Sequence, residues 1–462
     1  MKKMDTCFDV MIVGAGPSGL MAAYELSSKT SCSICIVEKG NEVSTRDCEL
    51  ISRGKCQNCR TCNVVHGFAG AGLFSDGKLC LSNKVGERLE DITDRFTPEL
   101  VKTVDRFLGV EAQVKYSSQK YIDRIKKITN EISLDLELYP VKAIPHRKSV
   151  VFLSALEREI RGKGVTIFTN TYASKLHQLH SGEWEITIRT QDGDRVVRSR
   201  FLLIGTGKSG ARWLLSQIAN LGIKSRATPF YFGVRLETKR ETLNNIMRLS
   251  YNPKFFTKKD GSFFIKTHCF AEGGVVIAYH YDGVRVSGGF TDDTDNASFS
   301  VLVEHYTPFP FRTLEYSHWM CKLMNRLGKN KLILQRLGDF RRGKTSKKID
   351  IENNLVTPTL KDYALGDISS FFQENLCSAI LDFIKKLNCL CPGLWDDSTL
   401  IYGPASEWVV DMIALNSEME TACKNLYVIG DGSGATQGIV AAASTGLIAA
   451  QSVAERISKT AK

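Results

Sequence analysis

Phe8-Asp9-Val10-Met11-Ile12-Val13-Gly14-Ala15-Gly16-Pro17-Ser18-Gly19-Leu20 decides the fold. Phe8 to Val13 reads as an apolar strand, and an alanine-rich helix starts near Leu20. Between them the glycines fit G-x-G-x-x-G. In that motif they permit a tight turn, a close approach of backbone to a pyrophosphate, and close helix–strand packing. The helix N-terminus then presents its partial positive charge to the phosphates. Gly14, Gly16, Pro17, Ser18 and Gly19 are therefore candidate cofactor contacts. A second apolar strand, Ser33 to Val37, ends at Glu38, nineteen residues after Gly19. A carboxylate there accepts hydrogen bonds from ribose hydroxyls. Lys39, beside it, is counted in the same site.

The rest of the composition narrows the class. Charged residues make up 24% of the 462 and hydrophobic ones 43%, the balance of a globular chain rather than a disordered one. No apolar run reaches the roughly 18 residues of a membrane span, and the N-terminus lacks the apolar stretch and cleavage site of a signal peptide. The expected home is the cytoplasm, so most of the fourteen cysteines should be free thiols. A net charge of +11 fits an anionic cofactor or substrate better than nucleic acid.

The texture of the chain divides it into stretches. Residues 1–90 form the first part of a nucleotide-binding domain and 91–142 a helical insertion, with Leu100, Val101, Val104, Phe107 and Leu108 on one helix face. Residues 143–225 return to the nucleotide domain and carry an antiparallel meander (Ser174 to Gln178, Trp184 to Arg189, Arg195 to Ser199). Residues 226–395 make a substrate domain, and 396–462 complete the first domain. The expected class is α/β: a discontinuous Rossmann-like domain with an inserted α+β substrate domain.

Four further motifs carry chemistry. Gly430-Asp431-Gly432 ends a strand and leads to a small-residue helix from Gln437 and Gly438; Asp431 as a plain helix cap is the competing reading. Gly205-Thr206-Gly207-Lys208-Ser209-Gly210 imitates both a second dinucleotide turn and a Walker loop. The Walker spacing fails because Leu202 stands where its first glycine belongs. Gly67-Phe68-Ala69-Gly70-Ala71-Gly72-Leu73-Phe74-Ser75-Asp76-Gly77-Lys78 is too glycine-rich for a helix or strand interior. It is expected to lay backbone amides against a large ligand, with Gly70, Ala71, Gly72, Ser75 and Lys78 in contact. Cys56, Cys59 and Cys62, with Cys48 upstream, could hold zinc or part of an iron–sulfur cluster, form a redox disulfide, or merely build a loop. The expectation is no permanent iron–sulfur cluster, because the run matches no standard ferredoxin spacing, while tetrahedral zinc stays open.

The C-terminal Gly430-Asp431 turn resembles the second fingerprint of glutathione-reductase-type FAD proteins. In those, the aspartate bonds the ribityl chain and the helix N-terminus faces the flavin pyrimidine. The turn Gly205-Thr206-Gly207 resembles the strand-end Thr-Gly turn of the same proteins, which passes beside the adenine nucleotide and makes Ala173 a candidate adenine contact. Over nearly its whole length the chain resembles a bacterial family of largely uncharacterised FAD-dependent dehydrogenases. The resemblance rests on Gly14 to Gly19, Cys56 to Cys62, Gly70 to Leu79, Gln335-Arg336-Leu337-Gly338-Asp339-Phe340-Arg341-Arg342-Gly343, and Gly430 to Gly438. Two positions depart from it: Ala69 stands where that family has glycine, and Gln437 where it has arginine. The resemblance implies FAD and redox chemistry and supplies no substrate.

The expected function is hydride transfer between flavin N5 and a small organic substrate, with an unknown electron partner and no membrane partner. The protein's part is to orient the substrate and tune the cofactor. His66, His146, Arg147, Arg235, His268 and Arg341 are the candidates for substrate chemistry, and the arginines among them suit a carboxylate. Two rival classes stand beside this one. Asp282-Gly283 is similar to an auxiliary motif of flavin monooxygenases, and the basic run Arg341 to Lys348 would suit a non-catalytic or RNA-binding flavoprotein.

Overall fold

The computed structural model describes residues 6–49, 56–57, 59–75, 77–85, 88–144, 146–258, 263–407 and 409–460. Asp76 of the glycine-rich run lies outside them, and of His146 and Arg147 only the backbone is described, where it opens the helix His146–Gly162.

The N-terminal strand Cys7–Val13 is buried from Val10 onward and sits centrally in a seven-stranded sheet. It pairs in parallel with Ile34–Val37 on one side and Gly193–Ile204 on the other. The strand Thr166–Phe168 extends the first edge. The last strand of the meander and the parallel strand that returns to the sheet are one twelve-residue strand, Gly193–Ile204. Its first half pairs antiparallel with Trp184–Thr190, and its second half parallel with Cys7–Val13 and Leu426–Val428. Helices Pro17–Lys29 and Ile439–Thr460 cross over the sheet, so close that a Cβ on Gly446 would meet Ser18 O at 2.0 Å.

The second sheet has eight strands, in the order Tyr363–Leu365, Leu332–Arg336, Leu400–Glu407, Phe230–Lys239, Asn296–His305, Ile265–Glu272, Lys254–Thr257, Leu134–Glu137. The alternation along Phe230–Lys239 sets its two faces. Phe230, Phe232, Val234 and Leu236 join the core under the helix Glu374–Leu387, with Phe232 against Phe371 and Phe372. Tyr231, Arg235 and Glu237 occupy the other face, which is polar.

Two boundaries differ from the sequence reading. Strand Leu400–Glu407 pairs with Phe230–Lys239 and Leu332–Arg336, so the large sheet reaches past residue 395 into the stretch assigned to the nucleotide domain. The segment 91–142 holds helices Pro98–Leu108 and Gln119–Glu131, and also the strand Leu134–Glu137 that forms an edge of the large sheet. Both strands are short or interrupted by glycine and proline, and only their partners make them strands. Gly70–Ser75 is a helix, against the expectation for so glycine-rich a run. One and a half turns suffice there because Ala69 and Gly70, at φ 72° and 70°, turn the chain into it.

Candidate functional site

Four glycine turns, from opposite ends of the chain, meet at the C-terminal edge of the first sheet. Each glycine of the first motif has its own reason. Gly14 has φ 106°, and a Cβ there would stand 2.4 Å from Gly205 O. A Cβ on Gly19 would meet Gly14 O at 2.1 Å, whereas one on Gly16 would meet nothing within 4 Å. Gly14 and Gly19 thus serve the protein's own packing, and Gly16 leaves room for a ligand. A Cβ on Gly207 or Gly438 would likewise meet nothing within 4 Å. The glycine-rich run lies on the first turn: Ala69 N donates to Ala15 O at 2.7 Å, and Gly70 faces Gly16 and Pro17. Gly72 packs on Ile439, at the start of the C-terminal helix. Ser75 Oγ donates back to Ala71 O within the short helix. Ala173 is buried in the meander, opposite Ile188.

Glu38 is buried and takes three backbone donors. Ala15 N reaches Oε2, while Gly40 N and Gly67 N reach Oε1, each at 2.9 Å. It clamps the three loops around the site, and Oε2, with one donor, keeps acceptor capacity. Lys39 next to it is exposed. Sequence reasoning missed Arg46, whose guanidinium donates to the carbonyls of Asn63, Val64 and Phe68 and stacks 3.9 Å over the Phe74 ring. Burial pulls its pKa down to about 9. An arginine so placed holds the cysteine segment and the glycine-rich run together, but an isolated Arg in a loop gives no signal of it.

At the other end of the cleft Asp431 receives Thr436 Oγ1 at 2.9 Å and faces Lys208 Nζ at 3.9 Å. Burial raises its pKa, with Lys208 opposing. Arg88, Lys208, Asp431, Thr436 and Gln437 line one cavity. In this structure Arg88 Nη1, Gln437 Nε2 and Thr206 Oγ1 are buried without a hydrogen-bond partner. Natural proteins rarely leave such donors unsatisfied, and two of them, Arg88 Nη1 and Gln437 Nε2, line this cavity, so they mark where a polar ligand belongs. Lys208 and Arg88 line the same cavity as Gln437, which stands where the resembled family has arginine.

The candidates for substrate chemistry scatter. His268 Nε2 lies 3.1 Å from Glu407 Oε1, on the polar face of the large sheet. Arg235, fully buried on the same face, donates to Ser298 Oγ, Ser300 Oγ and Cys269 O. His66 Nδ1 lies 3.3 Å from Cys62 O, near the loops clamped by Glu38. Arg341 pairs with Asp397 at 3.0 Å and stacks on Trp395. Arg342 pairs with Asp339 and Asp397, so two charges of the basic run are spent within the protein. Asp282 and Gly283 form the turn of the hairpin Gly274–Tyr281 and Val284–Thr291, at φ 41° and 79°. A two-residue hairpin turn accounts for that dipeptide without any cofactor role. Among the described residues no three Cys, His, Asp or Glu side chains converge as metal ligands, and no disulfide joins the cysteines. Cys48, Cys56 and Cys62 pack against the apolar cluster of Val64, Phe290 and Leu332.

Fold and site together define an α/β protein with a Rossmann-like NAD(P)/FAD-binding domain. Over residues 12–56 the chain matches the model of the NAD(P)-binding Rossmann-like domain family. It is 25% identical to an uncharacterised protein of Clostridium beijerinckii, over 96% of this chain and 80% of that one. A 41-residue stretch is 56% identical to the electron transfer flavoprotein-ubiquinone oxidoreductase of Pseudomonas aeruginosa, covering 8% of this chain and 7% of that one. Glycine oxidase of Geobacillus kaustophilus is structurally similar at 11% identity and TM-score 0.39, over 98% of this chain and 95% of that one. Aklavinone-11 hydroxylase, solved with FAD and aklavinone, is similar at 12% identity and TM-score 0.37. That similarity covers 100% of this chain, which spans 63% of the hydroxylase, less than two thirds of its length.

Proposed function

We propose that this chain is an FAD-dependent oxidoreductase that passes a hydride between flavin N5 and a small organic substrate. The observation that carries the reading is the meeting of four glycine turns beside one cavity lined by two orphaned donors, Arg88 Nη1 and Gln437 Nε2. A mononucleotide would need only the first two turns. The residues present fit FAD: Gly14 to Gly19 and the 67–75 run for the pyrophosphate, Glu38 Oε2 for the ribose, and Asp431 for the ribityl chain. Arg88 Nη1 and Gln437 Nε2 suit the acceptor atoms of a pyrimidine ring. Bound there, the flavin supplies the two-electron chemistry, and the chain supplies orientation and charge.

The test is the purified protein's absorbance and flavin content. One FAD per chain supports the reading, and a colourless protein that cannot be reconstituted overturns it. Anaerobic reduction of the bound flavin by organic substrates supports a dehydrogenase. Oxygen insertion coupled to NAD(P)H consumption would make the chain a monooxygenase instead.

A further inference from the structure

We propose that Lys254 and Lys266 form a carboxylate seat on the polar face of the large sheet, so that the substrate is a small organic acid. This rests on the flavin oxidoreductase reading above. Strand pairing brings the residues together. Phe256 stands opposite Lys266, and continuing that antiparallel register by two residues sets Lys254 opposite His268. Residues paired across a sheet, and those two apart along a strand, share a face. Glu407 comes from the strand Leu400–Glu407, paired with Tyr231, and reaches Lys266 Nζ at 2.5 Å and His268 Nε2 at 3.1 Å. Lys266 Nζ in turn sits 3.4 Å over the Tyr231 ring.

The cluster carries more positive than negative charge. Glu407 is held ionised against its burial by the charges of Lys266 and Lys254 and by the hydrogen bond to His268. His268 stays neutral near pH 7, its pKa lowered to about 4 by burial. One buried carboxylate, Glu407, therefore faces two ammonium groups. On the edge strand the exposed Glu137 stands opposite Lys254, whose pKa is lowered by burial. A cation in that position is costly until an anion joins it.

The cluster lies beside the cofactor cleft. Glu407 is close enough to Asp431 to raise its pKa, and Val409 and Val410, just beyond Glu407, line the cavity with Asp431. From the glycine-rich side, Lys78 Nζ donates to Phe270 O, two residues from His268. Hydride chemistry needs a carbon skeleton, so the anion that fits a redox cleft is a carboxylate carried on carbon.

The experiment is calorimetric titration of the full-length protein, as purified, with acetate, benzoate and inorganic phosphate, with FAD content measured separately. At least one carboxylate should bind. Lys254→Met should weaken it by about tenfold or more, the loss of one charge-assisted contact. Glu407→Gln should tighten it, because the competing carboxylate is gone; a merely structural cluster would not give opposite signs. Lys348→Gln, on the exterior, should change nothing. Absence of carboxylate binding, preference for phosphate, or unchanged affinity in Lys254→Met would overturn the proposal. A colourless protein that still binds carboxylate through Lys254 would sink only the flavin reading, and a yellow protein blind to carboxylates only this one.

Discussion

Gly430 and Ser18 touch although most of the chain separates them: a Cβ on Gly430 would stand 2.6 Å from Ser18 Oγ and 3.1 Å from its Cβ. Gly430 also has φ 69°, in the left-handed region. The C-terminal Asp431 turn can therefore dock on the N-terminal dinucleotide turn only if residue 430 is glycine.

Gly430→Ala adds both a backbone penalty of about 1–2 kcal/mol and a steric clash. It is expected to lower the thermal midpoint and to release cofactor. Equal midpoints and equal flavin content in the two proteins would contradict this.

Ala69 offers the converse test. It holds φ 72° beside Gly70, donating to Ala15 O at 2.7 Å. Ala69→Gly relieves a left-handed strain of about 1 kcal/mol, partly offset by added freedom of the unfolded chain. A small rise in the denaturant midpoint is expected, with flavin retention undiminished.

Glu38→Gln replaces one acceptor oxygen by an amide nitrogen facing backbone N–H groups. With Ala15, Gly40 and Gly67 all bonded to the native carboxylate, at least one donor is left unmet. The cost is about 1–3 kcal/mol for each lost bond. Equilibrium dialysis of FAD, alongside the unfolding midpoint, should show both falling.

Acid sensitivity follows from buried neutral histidines. Burial lowers His305 from the ordinary 6.5 to about 4, with its ring stacked on Phe230. Between these values the unfolded chain binds the extra proton, so the stability His305 contributes is intact above about pH 6.5 and is lost as pH falls toward 4. His305→Phe should therefore gain stability relative to the parent progressively over that window. Urea unfolding of both proteins at several pH values checks it; a constant difference would rule it out.

The cysteine segment should carry no metal. Elemental analysis of aerobically and anaerobically purified protein is expected to find neither stoichiometric iron nor zinc. A thiol titration in denaturant without reductant should then count all fourteen cysteines. Acid-labile sulfide with iron would refute it, and stoichiometric zinc would make the segment a structural centre.

The local motifs were readable because each is short and its glycines answer to nearby backbone. Gly14 to Gly19, the meander and the strand before Gly430 all follow from periodicity and turn residues within a few positions. The polar face of the large sheet was half readable. The alternation of Phe230 to Glu237 is plain, yet which face meets the cleft depends on the helix Glu374–Leu387 covering the other. Arg235 drew notice as an arginine on a strand, but its three partners come from neighbouring strands. Lys254, Lys266 and Glu407 drew none, because they look like ordinary surface charges until three strands converge.

By itself the sequence determined the Rossmann-like dinucleotide turn and the strand before Gly430, since backbone sterics and hydrophobic periodicity act over a few residues. Tertiary structure alone decided that strand Leu400–Glu407 joins the large sheet, that Arg46 pins the glycine-rich run, and that Lys266 and His268 share one buried carboxylate. Those outcomes depend on pairing between residues far apart in the chain, where hydrogen bonds and burial are settled by the partner and not by local propensity.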